Sequence, residues 1–294
     1  MGGCAGRAQP DRRFDSAGER PAHASRALGL RAEIGVVDVG DPLQREPDRR
    51  HVGGGGTRPR DQPGRWTEAL KAQRVASPRG HAGVDEGGLP LGQDPRPRRA
   101  LVEASLARIA ARDAEINAFT VVRAAEALAE ADTLDAGGPG HDGPLAGVPV
   151  AVKEEYTVTG TVTTLGGRGN STPATEDSEA IRRLRAAGAI IVGKTTMPEF
   201  GQFPFTESAA TGITRNPLNP ERSVGGSSGG SAAAVVSGIT PISMASDGGG
   251  SIRIPASLNG IFGIKATFGR VPRKPDSSSS VAHTGPIASC TRDL

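Results

Sequence analysis

Two glycine- and serine-rich clusters, GGSSGGSAAA at 225–234 and SDGGGSIRIP at 246–255, constrain this chain more than any other feature. Glycine and serine alone make flexible coil, the composition of a linker. Here each cluster runs straight into Ala, Val and Ile, which build helices and strands, so the glycines read better as points of close backbone approach. The surrounding segments alternate in character. Leu101, Val102, Leu106 and Ile109 recur at helical spacing and predict a helix over 99–112. A second helix is predicted at 124–134, stopping at Gly137, Gly138 and Pro139. PVAVKEEY, from Pro149, reads as a short buried strand that delivers Lys153 at its end. SEAIRRLRAAG reads as a helix with Ile181 and Leu184 inward, a cap at Asp177 and a stop at Gly188. AIIVG has the unbroken apolar run of a strand buried on both faces in a parallel sheet. A helix at 229–237, a strand at 240–245 and a helix over 252–258 complete the alternation, and the fold class is α/β.

Composition decides how much of the chain takes part. With 36% hydrophobic and 3% aromatic residues against 42 Gly and 23 Pro, a packed domain occupies part of the 294 residues and not all of them. Residues 1–97 contain GGGG at 53–56 and repeated Pro, and sustain neither helical nor strand periodicity. They are predicted to be disordered or marginally structured, or to be what GC-rich DNA yields when read in a wrong frame. The net charge of +3 invites a nucleic-acid reading, but the first 100 residues hold 17 Arg to one Lys, scattered without aromatic interleaving. That is not a binding face, and no nucleic-acid partner is expected. No apolar run reaches the ~18 residues of a membrane span, so no membrane partner is expected either. Cys4 and Cys290 form no zinc-binding spacing and suit a reducing, cytoplasmic setting. His23, His51, His81, His141 and His283 lie among loop-forming residues with no metal-like spacing, so no metal is proposed.

Taken together, GGSSGGSAAA, GGSIRIPA with its serine 24 residues after Ser227, and VAVK with Lys153 lying 74 residues before Ser227 resemble the amidase signature family. The likeness extends over 98–294 through GKTTMPEF, TRNPLNPERSVGG, GIKATFGRVPR and HTGPIA. It implies a mixed, largely parallel sheet flanked by helices and a cofactor-free hydrolase of small-molecule carboxamides, with homo-oligomerisation left open. It also implies a triad of Ser251 as nucleophile, Ser227 as bridging serine after a cis peptide bond, and Lys153 as base. The chemistry is consistent with that. A serine hydroxyl needs a neighbouring base, and a lysine serves only where burial lowers its affinity for a proton. Gly248, Gly249 and Gly250 would offer unobstructed N–H groups to a developing oxyanion. Ser228 resembles a supporting hydrogen-bonding residue, and Asp247 and Arg253 resemble residues that orient the loop.

Two departures from the family pattern bear on activity. VKEEY replaces the more usual VKD followed by Asn, which puts Glu154 and Glu155 beside the base, where negative charge favours the protonated, inactive lysine. ASCTRD follows GPIA in place of Arg-Thr-Val-Asp. The resemblance further implies that the pattern continues past Leu294, and that this chain alone is less active than a full-length relative. Within the family, the amidase-type subunit of a tRNA-dependent amidotransferase is the alternative, but it usually carries Gln where Ile254 stands. A non-catalytic interaction protein is the alternative of another class. A nucleotide-binding enzyme is a formal rival, because Gly188 to Thr195 satisfies GxxxxGK[ST]. That loop must be irregular, however, and Ala189 to Val192 are strand-forming.

Overall fold

The computed structural model describes residues 91–272 and 281–294, all within the compact unit Asp61–Leu294. Apart from residues 91–97, the predicted N-terminal extension lies outside the described residues. Five α-helices are described: α1 (Arg98–Ile116), α2 (Ala124–Asp135), α3 (Glu179–Ala186), α4 (Gly229–Val236) and α5 (Arg253–Leu258). Six strands, β1 (Phe119–Val122), β2 (Pro149–Lys153), β3 (Ile190–Thr195), β6 (Ile242–Asp247), β7 (Phe262–Gly263) and β8 (His283–Ala288), form one sheet in the order β1-β3-β2-β6-β8-β7. The short β4 (Glu207–Ser208) and β5 (Gly212–Ile213) pair separately. The central strands β3, β2 and β6 are parallel, β1 and β8 run against them, and β7 runs against β8, so the sheet is mixed and largely parallel as expected.

Layering follows from which side chains each face offers. Ala151, Ile190 and Val192 pack with Val102 and Ile109 of α1, Ala127, Ala131 and Leu134 of α2, and Ala233 and Ala234 of α4. Val150, Val152 and Ile191 face the other way, against Val158 and Ile181 of α3. Helix α4 is buried along nearly its whole length, which its Gly, Ser and Ala sequence permits because small side chains let a helix lie close on a sheet.

A register shift in β3 controls what comes next. Val150 pairs with Ile191 but Ala151 pairs with Gly193, so Val192 is an extra residue against β2. Past a bulge the alternation of faces is offset by one. Thr195 therefore pairs with Lys153 on the α4 face, where its hydroxyl meets that of Ser231 at 2.8 Å. Lys194 pairs with Val152 and belongs to the opposite face.

Several expectations are corrected. Helix α1 continues past 112 to Ile116 and ends at Asn117 in the left-handed conformation, φ 56°. The N-cap of α3 is Ser178 and not Asp177, whose carboxylate instead accepts from the Thr159 N–H and hydroxyl and from Arg185. The strand predicted at 240–245 begins at Ile242 and ends at Asp247. His283 opens β8 and is not in a loop. Gly193, Lys194 and Thr195 lie inside β3, so the phosphate-loop pattern has no irregular turn to form.

Gly193 has a steric reason to be glycine: an added Cβ would lie 2.4 Å from the Val121 carbonyl oxygen and 2.9 Å from the Phe119 ring. Gly193→Ala is therefore expected to destabilise the fold by about 1–3 kcal/mol, seen as a lower urea midpoint at unchanged slope. An unchanged midpoint would mean that β1 does not press on β3 as described.

Candidate active site

Strand β2 ends at Lys153, whose side chain is only 1% exposed. Its Nζ donates to Ser227 Oγ at 2.7 Å and to Ser246 Oγ at 3.0 Å. A buried amine is costly unless its N–H groups are satisfied, and the two hydroxyls supply that satisfaction. Ser227 follows a cis Gly226–Ser227 peptide bond and stands just ahead of α4. That helix is seated tightly: a Cβ on Gly230 would lie 2.4 Å from Thr196 Oγ1 and 2.7 Å from the Ala118 carbonyl oxygen.

The two glycine and serine clusters meet through Ser228. Its N–H donates to the Ser251 carbonyl at 3.2 Å and its hydroxyl to the Ser246 carbonyl at 3.2 Å. The second cluster is wound around one carboxylate. Asp247 accepts from the N–H groups of Gly250, Ile252 and Arg253, and from the Arg253 guanidinium through both oxygens at 2.9 Å. Lys265 approaches it to 3.6 Å and donates to the Gly248 carbonyl at 2.7 Å. Burial alone would raise the Asp247 pKa, but the bonds from Arg253 and from the backbone outweigh it and hold the carboxyl at about 2.

A cavity of about 850 Å³ opens over these groups. Lys153, Ser227, Ser246, Gly248, Gly249 and Ser251 supply much of its polar lining. Leu165, Met197, Phe200, Phe203 and Ile254 supply much of its apolar lining. The structure thus brings Lys153, Ser227 and Ser251 to one cavity. It separates the three glycines, however. The Gly250 N–H is committed to Asp247 at 2.8 Å, so it is not available as an oxyanion donor. The two glutamates also part company. Glu155 lines the cavity with Oε1 3.8 Å from Lys153 Nζ, whereas Glu154 turns to the N–H groups of Thr164 and Gly166 and to Lys194. Glu154 is therefore not beside the base.

Sequence reasoning missed Ser246, although it opens SDGGGS at the point where the apolar run of β6 turns polar. It also missed Leu165 and Phe200, for which no local signal exists. Among the described residues there is no cluster of three or more His, Cys, Asp or Glu side chains able to hold a metal, and no helix long and apolar enough to cross a membrane.

The amidase family profile matches residues 100–294. The chain belongs to the amidase signature family. AmiB2 of Mycobacterium tuberculosis is 47% identical over 199 residues, which cover 66% of this chain and 42% of the relative. AtzE of Pseudomonas sp. strain ADP, which forms part of 1-carboxybiuret hydrolase, is 44% identical over 202 residues, covering 67% of this chain and 44% of that protein. The solved structure of 6-aminohexanoate cyclic dimer hydrolase with its substrate matches at a TM-score of 0.63 and 38% identity, over 68% of this chain and 42% of that one. The chain spans under half the length of these amidase-signature relatives.

Asp247 yields a pH prediction. Its folded pKa is depressed, so its contribution to stability is full above the unfolded value near 4 and is lost as pH falls toward 2. Asp247→Asn is expected to lower the melting temperature at pH 7, and the difference from wild type should shrink progressively between pH 4 and pH 2. A constant difference across that range would mean that the carboxylate charge does not organise the loop.

Proposed function

We propose that residues 98–294 form a catalytic amidase domain that hydrolyses a small carboxamide to the acid and ammonia or an amine. The observation that carries this reading is the 2.7 Å hydrogen bond between Lys153 Nζ and Ser227 Oγ inside a cavity that Ser251 also lines. Ser251 is the nucleophile, Ser227 the relay and Lys153 the base. As Ser251 Oγ bonds to the carbonyl carbon, its proton passes to Ser227 while Ser227 gives its own to neutral Lys153. The tetrahedral oxyanion then collapses, the C–N bond breaks and the leaving nitrogen takes a proton back along the same route. Water releases the acyl group from Ser251 by the mirror sequence.

Oxyanion stabilisation falls to Gly248 and Gly249 in this reading. The Gly248 carbonyl is held by Lys265, and the C=O and N–H of a trans peptide point in opposite directions, so the Gly249 N–H points away from Lys265. Removing one such donor typically costs about 3 kcal/mol of transition-state stabilisation. Ser228, Asp247 and Arg253 keep the two catalytic loops in register. Ile254 favours a general amidase over an amidotransferase component, because an apolar side chain lines the cavity where the latter usually has Gln. A cytoplasmic setting, with no cofactor, completes the reading.

A fluorophosphonate probe tests it. The probe is expected to label Ser251, Ser251→Ala to abolish labelling, and Lys153→Ala to slow it ~10³-fold or more. Ser228→Ala should only weaken it. Undiminished labelling of Ser251→Ala would remove the nucleophile assignment.

A further inference from the structure

Lys194 gave the sequence its phosphate-loop pattern, and the proposed chemistry leaves it without a task. The bulge in β3 sends it to the sheet face opposite Lys153, where it is fully buried. There its Nζ donates to the Val162 carbonyl and to Thr163 Oγ1, both at 2.8 Å, and lies 3.9 Å from Glu154 Oε1. Glu154, also buried, accepts from the N–H of Thr164 through Oε1 and from the N–H of Gly166 through Oε2. Between them the two side chains grip positions 162, 163, 164 and 166. The position passed over is Leu165, which lines the cavity.

We propose that Lys194 and Glu154 are a positioning pair that holds the 162–166 segment in place, and so sets the apolar wall by which the cavity selects amides with a sizeable hydrocarbon group. Leu165 has φ 54° and its carbonyl accepts from the N–H of Phe200 at 2.8 Å; Phe200, itself at φ 54°, also lines the cavity. Left-handed conformations at non-glycine residues are sterically unfavourable and persist only where the surroundings enforce them. The bonds from Lys194 and Glu154 are such an enforcement, and they reach Phe200 through Leu165. Stability is a weak reason to keep a buried ion pair, since apolar replacements of similar volume are often as stable. Burial pushes the Lys194 pKa down to about 8 against the pull of Glu154, so its charge is held in place at a cost to folding. A cost of that kind is consistent with a positioning task.

The substrate class rests on the amidase reading above, and the test separates the two. Lys194→Met removes the grip, and Thr163→Val removes one anchor with little change of shape if Lys194→Met does not fold. In either, amide hydrogen exchange at 162–166 and 200–202 should accelerate about tenfold while β2 and β6 stay protected. In a Ser251→Ala background, which needs no turnover, calorimetric affinity for hexanamide relative to acetamide should fall about tenfold. Unchanged exchange would overturn the grip, and an unchanged affinity ratio would overturn the selection. Wild-type protein that resists the fluorophosphonate probe but behaves as expected in both assays would overturn the amidase chemistry and leave the pair standing.

Discussion

The centre of this structure depends on keeping the Lys153 amine out of water without leaving it unsatisfied. Its Nζ sits where the end of β2, the residues just ahead of α4 and the end of β6 converge, and it is held by one hydroxyl from each of the last two. Both serines must be delivered to one point by separate elements, which also pack together through Ala232, Val235 and Ala245. The parallel β2–β6 pairing brings Ser246 alongside, and the burial of α4 against β3 brings Ser227. Small residues along α4 are what allow that approach, so the run of Gly, Ser and Ala is a packing requirement as much as a chemical one.

A second requirement is order in a glycine-rich turn. Three consecutive glycines give the backbone many conformations, and ordering each residue costs about 1–2 kcal/mol. Asp247 answers this by gathering three N–H groups and a guanidinium onto one carboxylate. The same contact reassigns Gly250 from donor to scaffold. A glycine in the right place along the chain is thus not automatically a donor to substrate, because its N–H can already be engaged.

Much of the fold was legible because it is local. The strand that delivers Lys153 and the helices around Ile109 and Ile181 follow from periodicity, and the meeting of the serine clusters was implied by the family resemblance. What was not legible depends on partners distant in sequence. Strand β1, at the edge, and β8, between β6 and β7, are antiparallel additions to a parallel core, and FTVV is too short to announce itself. Ser246 looks like any strand-ending serine until Lys153 is placed beside it. Glu154 and Glu155 are adjacent in sequence and identical in type, yet only the geometry shows that one faces the cavity and the other the packed side of the sheet.

The bulge at Val192 separates two lysines. Were Val192 paired with Ala151 in regular register, the alternation of β3 would turn Lys194 toward the α4 face, the side on which Lys153 emerges from the neighbouring strand. With the bulge, the hydrogen-bonded sheet lies between the two amino groups as a partition, and each finds its own oxygen partners: hydroxyls for one, a carbonyl, a hydroxyl and a carboxylate for the other. One local change of register thereby divides the interior into two polar compartments, one walled by serine hydroxyls and the other closed by a carboxylate and the 162–166 backbone.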